Sequence, residues 1–205
     1  MARRIRDPEA RKHIVEAAWR LVAARGSAST TLRAVAVEAG VSTGSVTHYF
    51  EDRVELMSAV LHHNNDLASE AVRRSIGRRR GLDAVERATL GLLPVDERRL
   101  AFWQVWLGFW AQEPEEGSGD SGFVAGYRNW SALVDQHLRE AMEDGELPDD
   151  LDVRHEVGVL STLLAGTGLL AGSTPSNRNQ LRARAKRIVR EHFATLTARR
   201  EVGEG

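Results

Sequence analysis

Apolar residues recur along this chain at steps of three and four. Ile14, Ala17, Ala18, Leu21 and Val22 stand at i, i+3, i+4, i+7 and i+8, one stripe of an amphipathic helix. The stripe opens after Asp7-Pro8, an N-cap followed by a proline at the first helical position, and stops at Gly26. A short second helix is predicted from Leu32 to Ala39, with Thr31 as N-cap and Gly40 as the stop. The third starts after Ser42 and ends near Phe50. The fourth runs from Arg53 to about Arg74, with Val54, Met57, Val60, Leu61 and Leu67 inward. Further helices are predicted at about 82–93, 97–112, 122–144, 153–172 and 177–199. No stretch alternates in the manner of a strand and no segment repeats, so the expected fold class is all-α.

The second and third predicted helices, joined across Gly40, make a helix-turn-helix, whose second helix can enter a DNA major groove. Ala36 is small where the two helices must cross, and Gly40 supplies the backbone freedom of the turn. Val35, Val41, Val46 and Phe50 form the side that packs on the first helix. Thr43, Gly44, Ser45, Thr47 and His48 are left outward. Short hydroxyls reach base edges or phosphates without holding the helix away, and Gly44 permits close approach. Ser42 can cap the helix while the helix N-terminus favours a phosphate. Tyr49 and Arg53 can reach the sugar-phosphate backbone, and Thr31 and Arg33 at the start of the second helix complete the candidate DNA-binding set.

Composition narrows the setting. With 205 residues, 42% hydrophobic and 28% charged, the chain can bury a sizeable core and has the balance of a globular protein. It has no cysteine, which excludes disulfides and thiolate chemistry and suits a reducing cytoplasm. The N-terminus carries no apolar run of signal-peptide type. The apolar-rich stretch Val157 to Ser173 is 17 residues and holds four glycines, short of the ~20 that span a bilayer. A buried helix, no membrane partner and a cytoplasmic location are expected. Charge is uneven: residues 1–80 carry 14 Lys+Arg against 9 Asp+Glu (+5), and residues 81–205 carry 14 against 20 (−6), which sum to −1. A basic front on an acidic remainder places the polyanion-facing surface in the N-terminal part. Arg3, Arg4 and Arg6 are either an arm for a minor groove or a basic tail that adds nonspecific attraction.

The run TTLRAVAVEAGVSTGSVTHYFEDRVEL (residues 30–56) resembles the DNA-binding region of the TetR family of bacterial transcriptional regulators, and the resemblance extends over about residues 9–75. It implies that the third helix reads an operator and that the positions of Thr47, Tyr49 and Arg53 contact DNA. Two residues depart from the family's usual pattern: Thr47 stands where many members have tyrosine, and Arg53 where most have lysine. The expected organisation is a helix-turn-helix domain at 1–52, a helical effector-binding and dimerisation domain at 53–199, and a tail at 200–205. The resemblance further implies a homodimer whose last two helices pair across a twofold axis, and hence a palindromic operator.

Four of the five tryptophans, Trp103, Trp106, Trp110 and Trp130, lie within residues 103–130. Trp103, Trp106 and Trp110 share one broad helix side, with Phe102 and Phe109 flanking it. Two readings stand: an aromatic stripe of the core, or a wall of a ligand pocket. The segment RRLAFWQVWLGFWAQEP (98–114) is similar to the effector domain of the choline-responsive BetI-type repressors of the same family. That similarity implies an effector site built from Trp103, Trp106, Phe109, Trp110, Tyr127 and Trp130, for an apolar or cationic small molecule. Ring faces attract a quaternary amine.

Enzymatic chemistry has little to work with. GDSG at 119–122 has the letters of a serine-protease nucleophile segment but sits in an acidic, Gly/Ser-rich loop of a helical chain. His62 and His63 are adjacent and therefore face different sides of a helix, and no HExxH is present. Neither a cofactor nor a metal is expected. A ligand-independent regulator, or an adaptor that does not bind DNA, remains the alternative.

Overall fold

The computed structural model describes residues 7–110, 122–173 and 178–203. Arg3, Arg4 and Arg6, the acidic loop as far as residue 121, and most of the GDSG segment lie outside these residues. Among the described residues helices are the only regular elements: α1 (Pro8–Arg25), α2 (Leu32–Ala39), α3 (Thr43–Tyr49), α4 (Arg53–Ile76), α5 (Gly81–Leu92), α6 (Glu97–Trp110), α7 (Gly122–Glu143), α8 (Val153–Ser173) and α9 (Arg178–Gly203). Local chemistry sets the ends of the first three. The Asp7 carboxylate accepts from the Glu9 N–H, the Thr31 hydroxyl from Ala34 N–H, and the Ser42 hydroxyl from Ser45 N–H, each satisfying a donor that the first helical turn leaves orphaned. Gly40 closes α2 in the left-handed region, at φ 66°, where a side chain would be strained.

Packing divides the chain into two units, the described residues of Met1–Leu67 with Gln104–Val124, and those of Ala68–Trp103 with Ala125–Gly205. The first unit thus keeps α4 as far as Leu67 and takes in the second half of α6. Its core joins Ile14, Val15, Ala18, Leu21 and Val22 of α1 to Val35, Ala36, Val46, Phe50, Leu56, Met57, Val60 and Val105. Val54, expected inward, is 59% exposed. The inward face of α4 begins one residue earlier, at Arg53, Leu56, Met57 and Val60, because Arg53 turns toward the α1–α2 loop.

In the second unit α5 packs on α8 and α9, and α8 on α9. Val134, Leu138 and Ala141 of α7 are fully buried. The first turn of α5 has no side-chain cap of its own. Carboxylates distant in sequence take its orphan donors instead: Gly81 N–H donates to Glu140 Oε2 at 3.3 Å and Leu82 N–H to Glu146 Oε2 at 2.7 Å. Glu140 also accepts from the Gln136 amide and bonds His137 Nδ1, and these contacts hold its carboxyl down at about 2, from an ordinary 4.5. No helix of the described residues is long and apolar enough to cross a membrane.

Candidate functional site

The candidate DNA surface is built on α3, seven residues long, held by one fully buried valine and a buried phenylalanine at its C-cap. With Val46 and Phe50 committed inward, Ser42, Thr43, Gly44, Thr47 and His48 are exposed, while Ser45 and Tyr49 are partly buried. Several of the hydroxyls bond locally. Ser42 Oγ lies 2.8 Å from Ser45 Oγ, and Thr47 Oγ1 donates to the Thr43 and Gly44 carbonyls at 3.3 and 3.2 Å. The His48 ring meets Tyr49 edge to face, with centroids 5.1 Å apart. Gly44 is not in a left-handed conformation, and a Cβ there would meet only Ser42 Oγ, at an ordinary 3.7 Å. The fold therefore has no need of a glycine at this position.

Thr31 and Arg33 mark the start of α2. Both are exposed, and Arg33 has no ion-pair partner among the described residues, which leaves its guanidinium available to a phosphate. Arg53 is placed differently from its neighbours in the set. Its Nε donates to Thr30 O at 3.1 Å and its Nη2 to Ser27 O, both in the loop between α1 and α2. Arg11 of α1, which the sequence reading does not single out, stacks its guanidinium on the Phe50 ring at 4.8 Å, beside the C-terminal end of α3. A lone arginine in an amphipathic helix gives no local signal of that position.

The aromatic candidates for the effector site do not share one environment. Trp106 and Phe109 belong to the first unit, where Trp106 Nε1 donates to Asn65 Oδ1 at 2.9 Å and Phe109 packs on the head core. Trp110 ends α6, and its side chain lies outside the described residues. Trp103 belongs to the second unit and is 7% exposed; its Nε1 donates to Leu92 O at 2.8 Å and its ring lies flat against Gly168 of α8. Trp130 and Tyr127 of α7 are also in the second unit. Trp130 Nε1 donates to Ser161 Oγ at 3.2 Å, and Tyr127 is 48% exposed. Next to Trp130, the Ser131 hydroxyl is buried without a hydrogen-bond partner among the described residues. No group of three or more His, Cys, Asp or Glu among the described residues could hold a metal ion.

Comparison with known proteins matches residues 14–60 to the bacterial regulatory proteins of the tetR family, and residues 81–198 to the C-terminal domain of BetI-type transcriptional repressors. The HTH-type transcriptional regulator PksA of Bacillus subtilis is 27% identical over 96% of this chain and 94% of its own. The regulator BetI of Burkholderia cenocepacia is 35% identical over 50% of this chain and 54% of its own. Among solved structures, a Rhodococcus sp. protein assigned to the TetR-family regulators superposes with a TM-score of 0.79 at 21% identity, covering 92% of this chain and 99% of that one. A Saccharomonospora viridis regulator, solved in complex with choline, does so with a TM-score of 0.75 at 22% identity, covering 90% and 97%.

Proposed function

Since this chain belongs to the TetR family of bacterial transcriptional regulators and carries a C-terminal domain of BetI type, we propose that it is a repressor which binds a palindromic operator as a homodimer and releases it on binding a small molecule. The observation that carries the DNA reading is the exposed face of α3. Its Thr43, Gly44, Thr47 and His48 fill no core and Gly44 serves no backbone constraint, so the small size of Thr43, Gly44 and Thr47 is explained by a surface that must approach them closely. Ser42, Ser45 and Thr31 flank that face, Tyr49 supports it from the core side, and Arg33 supplies a cation at its edge. The test is selection of duplexes by the purified protein from a randomised pool, followed by gel retardation. A recovered inverted repeat with half-sites about 34 Å apart, or a multiple of that, is expected.

For dimerisation we assign the outward face of α8 and α9. Leu169 and Leu170 of α8 and Ile188 of α9 are 49%, 54% and 39% exposed. Gly158 and Gly166 have open space where a Cβ would stand, so within the protomer neither glycine is required, and a second copy packed closely there gives both a role. Sedimentation at micromolar concentration checks it, and a monomer that still binds DNA tightly refutes it.

For the effector, the BetI-type domain and the choline bound to the Saccharomonospora viridis protein favour an apolar or cationic small molecule. We place Tyr127, Trp130 and the buried Ser131 hydroxyl at its site. A buried hydroxyl without a partner costs about 1–3 kcal/mol, which a ligand carrying a polar atom beside its apolar or cationic body recovers. Trp103, pinned to Leu92 and Gly168, acts as core on this reading, and Trp106 as an anchor of the DNA-binding unit.

A further inference from the structure

The loop from Gly26 to Thr31 links α1 to the recognition head, and it is held from two other helices. Ser27 is 3% exposed. Its hydroxyl donates to Gly108 O of α6 at 2.7 Å, across 81 residues of sequence. Its carbonyl accepts from Arg53 Nη2 of α4 and from the Thr30 N–H at 3.0 Å. The Thr30 carbonyl takes Arg53 Nε, and the Thr30 hydroxyl donates to Gly26 O at 2.9 Å. The next residue, Thr31, is the N-cap of α2. Both loop carbonyls that Arg53 reaches thus lie within four residues of the cap that starts the helix-turn-helix.

We propose that Ser27 and Arg53 form a clamp that sets the position of the α2–α3 head: Arg53 of α4 holds the loop carbonyls, and the Ser27 hydroxyl ties the loop to the Gly108 carbonyl in the last turn of α6. Arg53 then supports operator binding as a positioning residue, with its guanidinium on the loop and not on a phosphate. Geometry separates the two roles. A guanidinium fork engaged by two carbonyls is partly buried and oriented inward, whereas Arg33, exposed and without an ion pair, has the disposition of a phosphate anchor. A bidentate hold on two carbonyls also needs the planar fork, which lysine lacks. The proposal rests on the DNA-binding reading above.

The experiment uses the full chain with Ser27→Ala, Arg53→Met and Arg53→Lys, and has two independent readouts. Amide hydrogen exchange reports the clamp without DNA. Exchange within residues 28–49 is expected to quicken by roughly three- to tenfold in Ser27→Ala, the effect of one lost hydrogen bond, and by more in Arg53→Met, with α7–α9 unchanged. Affinity for the duplex that the wild-type protein selects is then measured against salt. Weaker binding with an unchanged salt slope is expected for all three variants. A phosphate anchor would instead flatten the slope in Arg53→Met by about 0.9 per protomer and leave Arg53→Lys close to wild type, and that result overturns the proposal. So does unaltered exchange in α2 and α3, or a uniform rise throughout the chain, which reports general destabilisation. If the wild-type protein selects no duplex, the DNA-binding reading fails while the exchange data still decide the clamp.

Discussion

Gly168 and Trp103 allow a quantitative test of how the second unit is packed. A Cβ on Gly168 would clash with the face of the Trp103 ring, 2.8 Å from Cζ3 and closer still to Cδ2 and Cε3. The ring has little freedom to move aside, being 7% exposed and tied by its Nε1 to Leu92 O of α5. Overpacking a filled core costs about 1–3 kcal/mol, and the upper end applies where the obstacle is a pinned indole. Displacing the ring also lengthens a buried hydrogen bond, worth about 1 kcal/mol. Alanine's better helix propensity returns about 1 kcal/mol. Gly168→Ala should therefore lose about 3 kcal/mol, which for a chain of this size lowers the melting temperature by roughly 6–12 °C. The assay is thermal and urea unfolding at one fixed protomer concentration, since dimerisation links stability to concentration. Gly158→Ala and Gly166→Ala are the internal controls. A Cβ at either meets nothing within 4 Å inside the protomer, so at a dilution where the protomers are separated both variants should be unchanged or slightly more stable, whereas a dimer packed on these glycines should be weakened. Trp103→Leu combined with Gly168→Ala should be less damaging than the sum of the two, because the smaller side chain vacates the clash. A Gly168→Ala protein that melts at or above wild type, or strict additivity in the double variant, would refute the packing.

Three further outcomes are expected. Gly44→Ala should leave the unfolding midpoint within about 1 kcal/mol of wild type or raise it, yet weaken operator binding at least tenfold; equal DNA affinity would remove close approach as the reason for that glycine. Glu140, held at about 2 against an ordinary 4.5, contributes stability that is fully present above pH 4.5 and is lost as pH falls toward 2; Glu140→Gln should melt lower at neutral pH and show a shallower decline over that acid window, and an identical acid profile would mean that its hydrogen bonds do not persist in solution. A ligand that releases DNA should change the fluorescence of wild type but not of Trp130→Phe, while Ser131→Ala lowers its affinity; release with neither effect would place the effector elsewhere.

Much of this architecture was legible in the sequence because helix ends are written locally. Asp7, Thr31 and Ser42 lie within three residues of the N–H groups they cap, and Gly40 adopts its left-handed turn at the position its lack of a side chain suggests. The period of Ile14, Ala17, Ala18, Leu21 and Val22 likewise identified a buried face, because in a helix residues three and four apart share one side whatever they pack on. With Val46 and Phe50 assigned inward, the exposure of Thr43, Gly44, Thr47 and His48 followed, while Ser45, also expected outward, is partly buried. Tertiary structure decided the rest. Periodicity placed Val54 inside and treated Arg53 as a surface cation; two loop carbonyls more than twenty residues away turned Arg53 inward and left Val54 exposed. The aromatic residues of α6 read as one stripe, yet Trp103 and Trp106 have their hydrogen-bond partners in different units, Leu92 and Asn65. Of Gly158, Gly166 and Gly168 in α8, only Gly168 faces a ring. A side chain's own sequence records its size and polarity but not which distant backbone or ring it will meet, and Ser27, bonded to Gly108 across 81 residues, carries no local mark of the contact that defines it.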